Sequence, residues 1–232
     1  MKPFSFKNFN IQQSENVFRV GTDGVLLGAL ANVEDAATVL EVGTGTGLIT
    51  LMLAQRSCDS EFLGIDISKE AYNLTKFNFE NAPFHSRLNN ILKDFKAFET
   101  EKKFDLIVSN PPYFEASSSE KDRVARQTVE LNFKQLISKS SVLLSEKGVF
   151  SVIIPAEAGY YFTEISRENK LFLNRKINIK GIETSKTKRL ILEFSLADKG
   201  FEESDFVIEK SPIQYSDQYF ELTREFHIFK NK

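Results

Sequence analysis

At 232 residues, with 41% hydrophobic and 27% charged side chains, the chain has the apolar content for a full core and the make-up of a globular rather than a disordered protein. A net charge of −2 argues against a sticky, nonspecific nucleic-acid binder, and a single cysteine, Cys58, rules out an internal disulfide framework and suits a reducing, cytoplasmic setting. The only two histidines, His85 and His227, are too far apart for metal-ligand spacing, so no metal is expected; no apolar stretch reaches the ~18–20 residues of a membrane span, and residues 1–10 lack the apolar core of a secretion signal.

In chain order, residues 1–37 read as an arm and a helix, and 38–232 as the sheet and helices of one domain. Phe4 and Phe6 alternate, which predicts a short strand or extended arm. Gly21-Thr22-Asp23-Gly24 precedes a helix over 25–31, with Thr22 or Asp23 as its N-cap. Thr38-Val39-Leu40-Glu41-Val42 is a short apolar strand that runs into Gly43-Thr44-Gly45-Thr46-Gly47 and a helix over 48–56. A glycine turn between strand and helix lets a ligand approach the backbone closely. The glycine spacing is not that of the dinucleotide fingerprint, and the missing G-K-[ST] ending excludes a P-loop.

A second strand, 62–66, ends in Asp66. An acid at this place accepts hydrogen bonds from ribose hydroxyls; the bland alternative has Asp66 and Ser68 capping the helix over 69–81. A third strand, 87–92, leads to Lys93-Asp94-Phe95, where an acid beside an apolar ring suits an adenine amino group and its face. A simple surface turn is the alternative there.

The apolar run 104–109 reads as a buried strand and delivers Asn110-Pro111-Pro112-Tyr113. The residue before a proline is pushed out of the helical region, and two prolines fix φ and donate no N–H. The turn is therefore stiff, rich in acceptors and ends in a flat ring, which suits a planar amino group. Residues 115–122 have the serine-rich composition of a loop, and a helical stretch begins at 123. A helix over 131–144 stopped by Gly148, a strand over 149–154 and a helix over 156–169 follow. Strands over 175–183 and 189–197 flank a Lys186-Thr187-Lys188 tip, with one more strand over 206–209.

Strands alternating with helices indicate an α/β, doubly wound, mostly parallel sheet with an antiparallel edge. Between Lys170 and Arg189, seven cations against Glu183 give +6, which leaves −8 for the rest of the chain. This local basic stretch is a candidate RNA contact; a solvated charged edge is the alternative.

Glu41-Val42-Gly43-Thr44-Gly45-Thr46-Gly47, Asp66 and Asn110-Pro111-Pro112-Tyr113 resemble the motifs of class I S-adenosylmethionine-dependent methyltransferases, the last element being similar to that of the amino-methylating branch. Phe4-Ser5-Phe6-Lys7, the segment from Val20 through Gly21-Thr22-Asp23-Gly24 to Ala29, Arg123-Val124-Ala125-Arg126, the run from Lys188 to Phe194 and the ending from Tyr219 to Phe226 together resemble the bacterial tRNA1(Val) adenine-37 N6-methyltransferases. That resemblance spans nearly the whole chain.

The resemblance implies a seven-stranded sheet of order 3-2-1-4-5-7-6 with strand 7 antiparallel, S-adenosylmethionine as cofactor and tRNA as substrate. It implies Asn110, Pro111 and Tyr113 as the residues that receive the target adenine. Thr22, Asp23, Glu41, Gly43, Gly45, Gly47, Asp66, Ile67, Asp94, Phe95 and Asn110 become the expected cofactor residues. Arg123, Arg126, Lys186, Lys188 and Arg189 become the expected RNA contacts. Gln127 stands where some relatives carry His, so no catalytic base is assigned there. Guanine-N2 methylation of ribosomal RNA and methylation of a protein glutamine are the chemical alternatives. The first favours Phe at the position of Tyr113, and the second an added amino-terminal helical domain. A DNA adenine methyltransferase would carry a target-recognition domain, and a non-catalytic RNA binder would not need both motifs. The sequence does not set the oligomeric state, with a monomer favoured.

Overall fold

The computed structural model describes residues 1–112 and 133–229. In chain order the elements are β1 (Phe4–Ser5), β2 (Asn10–Ile11), α1 (Thr22–Leu30), β3 (Thr38–Val42), α2 (Leu48–Arg56), β4 (Glu61–Asp66), α3 (Lys69–Glu80), β5 (Leu88–Leu92) and β6 (Phe104–Ser109). A helix through 133–143, α4, follows. The rest are β7 (Leu144–Pro155), α5 (Gly159–Glu168), β8 (Phe172–Lys180), β9 (Thr187–Ser195), β10 (Glu202–Val207), β11 (Glu209–Ser211), β12 (Gln214–Tyr215) and α6 (Asp217–Thr223).

The central sheet has the order β5-β4-β3-β6-β7-β9-β8-β10. Only β9 runs antiparallel to its neighbours, β7 and β8. This is the expected order with an eighth strand added outside β8. The strand expected over 206–209 is β10, which starts earlier and pairs with β8 in parallel. Its sequence, Glu202-Glu203-Ser204-Asp205-Phe206-Val207, has no apolar alternation to announce a strand. Its end, Phe206 and Val207, is buried in the core, and its start is held by charge: Glu203 meets Lys176 at 2.9 Å and Asp205 meets Lys180 at 2.5 Å. Asn178 between them donates to both acids. Each exposed pair is worth about 0–1 kcal/mol, so the edge rests on the row of them and its ladder.

Both faces of the sheet are covered, which is why its strands read as continuous apolar runs. Successive residues go to opposite faces: Val39 and Leu106 join the cluster under α1 and α2, Leu40 and Ile107 the cluster under α4 and α5. The phenylalanines are shared by both clusters, and in the second Phe133, Phe150, Phe162 and Phe194 pack with ring centroids 5.2 to 6.3 Å apart. On the other face, Gly24 and Gly28 are the contact points of α1 with α2. A Cβ on either would come within 2.9 Å of Leu48 or Met52. The arm meets the far end of the chain, where the Lys7 N–H donates to the Phe226 carbonyl at 2.8 Å.

Two expectations are corrected. The N-cap of α1 is Gly21, with no side-chain cap bond, and Thr22 and Asp23 lie inside the first turn. Gly148 does not stop α4, which ends at 143; it lies within β7. There the pairing of β6 with β7 jumps from Phe104↔Leu144 to Leu106↔Val149. The extra residues of β7 bulge against β6, and a Cβ on Gly148 would stand 2.7 Å from the Phe104 carbonyl oxygen. Backbone cannot yield as a side chain does, so Gly148→Ala should lower unfolding free energy by about 1–3 kcal/mol. Denaturant melts of the two proteins measure this; equal midpoints would mean that the bulge relaxes without strain.

Candidate active site

The sheet brings three strand ends together. β3 lies between β4 and β6, all parallel. The turns that follow them therefore leave the same edge of the sheet side by side, at the place where chain direction across the sheet reverses. Ser109 fastens this junction by donating to the Val42 carbonyl at 2.9 Å. A cleft of about 260 Å³ opens here, walled by Gly43, Asp66, Ile67, Asp94, Phe95, Pro111 and Pro112, with Gln135 and Leu136 from α4.

In the glycine turn, Gly43, Gly45 and Gly47 have φ of 76°, 59° and 82°, a left-handed conformation that side-chain-bearing residues avoid. Their reasons differ. A Cβ on Gly43 would meet nothing within 4 Å, so its face is open space beside the cleft. A Cβ on Gly47 would press into the Phe79 ring at 2.7 Å.

Asp66 holds the turn from β4. Its Oδ2 accepts from the Gly45 N–H and its Oδ1 from the Ser68 N–H, both at 2.9 Å. The N-cap of α3 is Ser68, which accepts from the Ala71 N–H; Asp66 supports that cap through the Ser68 N–H, and its bond to Gly45 is additional to it. Lone pairs remain on a carboxylate that accepts two N–H groups, and Asp66 lines the cleft. From α3, Thr75 donates to the Gly45 carbonyl and Asn78 to the Thr46 carbonyl, each at 2.8 Å. Asn78 also accepts from the Gln12 N–H at 2.8 Å, which ties the arm to the turn.

Glu41 acts from behind. It is buried, and its Oε2 accepts from the Thr50 N–H at 3.0 Å and the Thr50 hydroxyl at 2.5 Å. It thus braces β3 against α2 across the turn. Burial pushes its carboxyl up to about 8, against the Thr50 bonds and with the Asp66 charge adding to the rise.

At the far wall, Ile67 is 69% exposed, an apolar face without a cover among the described residues. Phe95 stands with it on the cleft, and Asp94, whose Oδ1 accepts from the Lys96 N–H at 2.9 Å, lies between. At the end of β6, the Asn110 Oδ1 is buried and finds no hydrogen-bond partner among the described residues. Such an orphaned acceptor costs about 1–3 kcal/mol, a cost that an N–H donor on a ligand removes. The residues thus fit a nucleoside: an open glycine face, an acid for a diol, two apolar walls for a base, and an acceptor awaiting an amine.

Not every expected residue is on this cleft. Thr22 and Asp23 do not wall it, and neither does Asn110, which sits between the lining residues Ser109 and Pro111; Asp23 pairs with Arg189 at 3.0 Å. Glu41, Gly45 and Gly47 support the turn rather than face the cavity. Of the basic stretch, Arg175 pairs with Glu193 at 3.3 Å, and Lys176, Lys180 and Arg189 have acids as described. The +6 of the sequence is therefore largely neutralised by acids elsewhere in the chain. Lys186 and Lys188 are exposed at the β8–β9 turn. Tyr113, Arg123 and Arg126 lie outside the described residues. Lys93, Lys96, Ser109, Gln135 and Leu136 wall the cleft without having been singled out; the helical periodicity of 131–144 marked only a core face. Among the described residues, no group of three or more His, Cys, Asp or Glu is arranged to hold a metal. No helix among them is long and apolar enough to cross a membrane.

A family model described as the methyltransferase small domain matches residues 9–174. The chain is 53% identical over 232 residues to the tRNA1(Val) (adenine(37)-N6)-methyltransferase of Flavobacteriaceae bacterium (strain 3519-10), covering 99% of this chain and 100% of that one. It is 40% identical over 228 residues to the protein of the same name from Phocaeicola vulgatus, with 97% of each covered. Among solved structures, it is similar to an Agrobacterium tumefaciens protein described as a predicted O-methyltransferase, with TM-score 0.71 and 14% identity over 88% of this chain and 96% of that one. A Pyrococcus furiosus methyltransferase follows at TM-score 0.62 and 18% identity, over 82% and 90%. The last two similarities concern the fold.

The brace at Glu41 carries a pH signature. Its carboxyl, ordinarily near 4.5, rises to about 8 on folding, so the folded chain keeps a proton that the unfolded chain releases. That contribution to stability is full below 4.5 and is lost as pH rises through about 8. Glu41→Gln keeps an acceptor for Thr50 and removes the titration. The stability of wild type relative to Glu41→Gln, measured by urea melts, should fall between about pH 5 and about pH 8. A constant difference would mean that Glu41 is ionised in the fold.

Proposed function

The chain belongs to the methyltransferase small-domain family and, within it, to the tRNA1(Val) (adenine(37)-N6)-methyltransferases, and on that premise we propose that it transfers a methyl group from S-adenosylmethionine to the N6 amino group of an adenine in tRNA, namely adenine 37 next to the anticodon of tRNA1(Val). The observation that carries this reading is the buried, unpartnered Oδ1 of Asn110 beside an open glycine turn. Family membership selects a tRNA adenine over a guanine or a glutamine amide, whose amino groups Asn110 would suit equally.

Bound S-adenosylmethionine supplies an electrophilic methyl group. Gly43 lets the methionine part pass close to the backbone, and Asp66 accepts from the ribose hydroxyls. Ile67 and Phe95 cover the faces of its base. The target adenine leaves its stack to reach the site. The Asn110 Oδ1 and the Pro111 carbonyl accept its two N6 hydrogens, which favours a tetrahedral amine over the conjugated planar one and frees the nitrogen lone pair for in-line attack. The same two oxygens would stabilise the positive charge that develops on N6 as the nitrogen–methyl bond forms and the sulfur–methyl bond breaks, and the methylated nitrogen, strongly acidic while cationic, would give one hydrogen to water. Rate comes from positioning and fixed acceptors, and no strong general base is needed. The stacking role of Tyr113 rests on its place in the sequence, as do the RNA contacts of Arg123 and Arg126. Lys186 and Lys188 supply exposed positive charge for phosphates. Arg189 serves through its pairing with Asp23, which anchors the start of β9 to α1. A tRNA substrate supports a cytoplasmic setting.

Asn110→Ala should lower the methylation rate at least about 10²-fold, the scale seen when one preorganised polar group is removed, while calorimetry finds cofactor affinity nearly intact. Equal loss of both would make Asn110 a structural residue and remove the basis of the mechanism.

A further inference from the structure

Four buried side-chain polar atoms lack a hydrogen-bond partner among the described residues: Gln55 Oε1, Asn110 Oδ1, Gln135 Oε1 and Ser140 Oγ. Asn110 belongs to the site already described. Of the remaining three residues, only Gln135 walls the cleft. We propose that Gln135 reads the cofactor's base, its Oε1 accepting a hydrogen bond from the adenine amino group of S-adenosylmethionine. This rests on the cofactor reading above and assigns one more residue to it.

The position of α4 decides which part of the cofactor Gln135 meets. Its neighbour Leu136 belongs to the apolar cluster that holds Ile65 and Phe98, and Phe95 packs against that cluster. The cleft that Gln135 and Leu136 wall is also walled by Asp66, Ile67, Asp94 and Phe95, the residues assigned to the nucleoside. An orphaned oxygen there selects a donor. The ring nitrogens of adenine are acceptors and do not match it. The ribose hydroxyls face Asp66. The exocyclic amino group is left, and it has two hydrogens. Asp94, one of whose oxygens is engaged by Lys96, takes one; Gln135 takes the other. The apolar neighbours of Gln135 then exclude water from the bond.

Such a site rejects an analogue that replaces the donor by an acceptor, because the buried oxygen is left facing another oxygen. Calorimetry of the whole protein with S-adenosylhomocysteine and S-inosylhomocysteine tests this without turnover. Wild type should bind the adenosine form at least about tenfold more tightly. Gln135→Leu should lose about tenfold in affinity for the adenosine form and show a narrowed preference between the two. Gln135→Glu, which keeps an acceptor, should retain the preference. An undiminished preference in Gln135→Leu overturns the proposal, and so does an equal loss of both ligands with a lowered melting temperature, which marks a packing residue. If Gln135→Leu does not fold, Gln135→Glu decides alone: loss of the preference there overturns the assignment. A wild type that binds neither thioether overturns the cofactor reading itself, and this proposal with it.

Discussion

The hydrogen bond from the Gly45 N–H to Asp66 is the contact on which the site depends. A turn with three left-handed glycines has more freedom than any other stretch of chain and loses the most on ordering. It keeps one shape because partners on every side hold it. Asp66 takes an N–H, Thr75 and Asn78 donate to successive carbonyls, and Glu41 locks the strand before the turn to the helix after it. The result leaves one face, that of Gly43, open. Asp66 thereby does two jobs with one carboxylate, fixing the turn with part of its accepting capacity and presenting the rest to the cleft.

The strands that build the edge of the site were legible because both faces of the sheet are covered. Residues 38–42 and 104–109 are apolar runs, and their observed bounds match the expected ones. The helix after the glycine turn likewise spans 48–56 as expected. Where charge rather than burial decides structure, the pattern was silent. The acidic start of β10 pairs with cations on β8 and carried no strand signal, whereas its apolar end, Phe206 and Val207, was expected and is buried. For the same reason the basic stretch overstated the surface charge, since its partners lie far away in sequence. Gly148 looked like a helix stop because local rules assign that role to glycine. Its real constraint is a carbonyl on a strand some forty residues earlier.

The site residues divide along the same line. Motif positions at strand ends, Gly43, Asp66, Asp94 and Asn110, could be named because strand order fixes where they converge. Roles were harder: Glu41 and Gly47 are support, and Asp23 faces β9. Gln135 carried no signal at all, because an unpaired oxygen is visible only once every neighbour has been placed. Asn110 and Gln135 show a shared logic. Each is a neutral amide whose acceptor the fold leaves unsatisfied, and each stands where an amino group would satisfy it. At Asn110 a neutral acceptor binds the amine without giving it a proton, so the nitrogen lone pair stays available for attack.

The central claim is that these strand ends direct a methyl group to one adenine amino group in tRNA. The most direct measurement is incorporation of labelled methyl from S-adenosylmethionine into two transcripts of tRNA1(Val), one natural and one with guanine in place of adenine 37. The account predicts label in the N6-methyladenosine of the first and none in the second. Equal labelling of both, or labelling of neither, would contradict it.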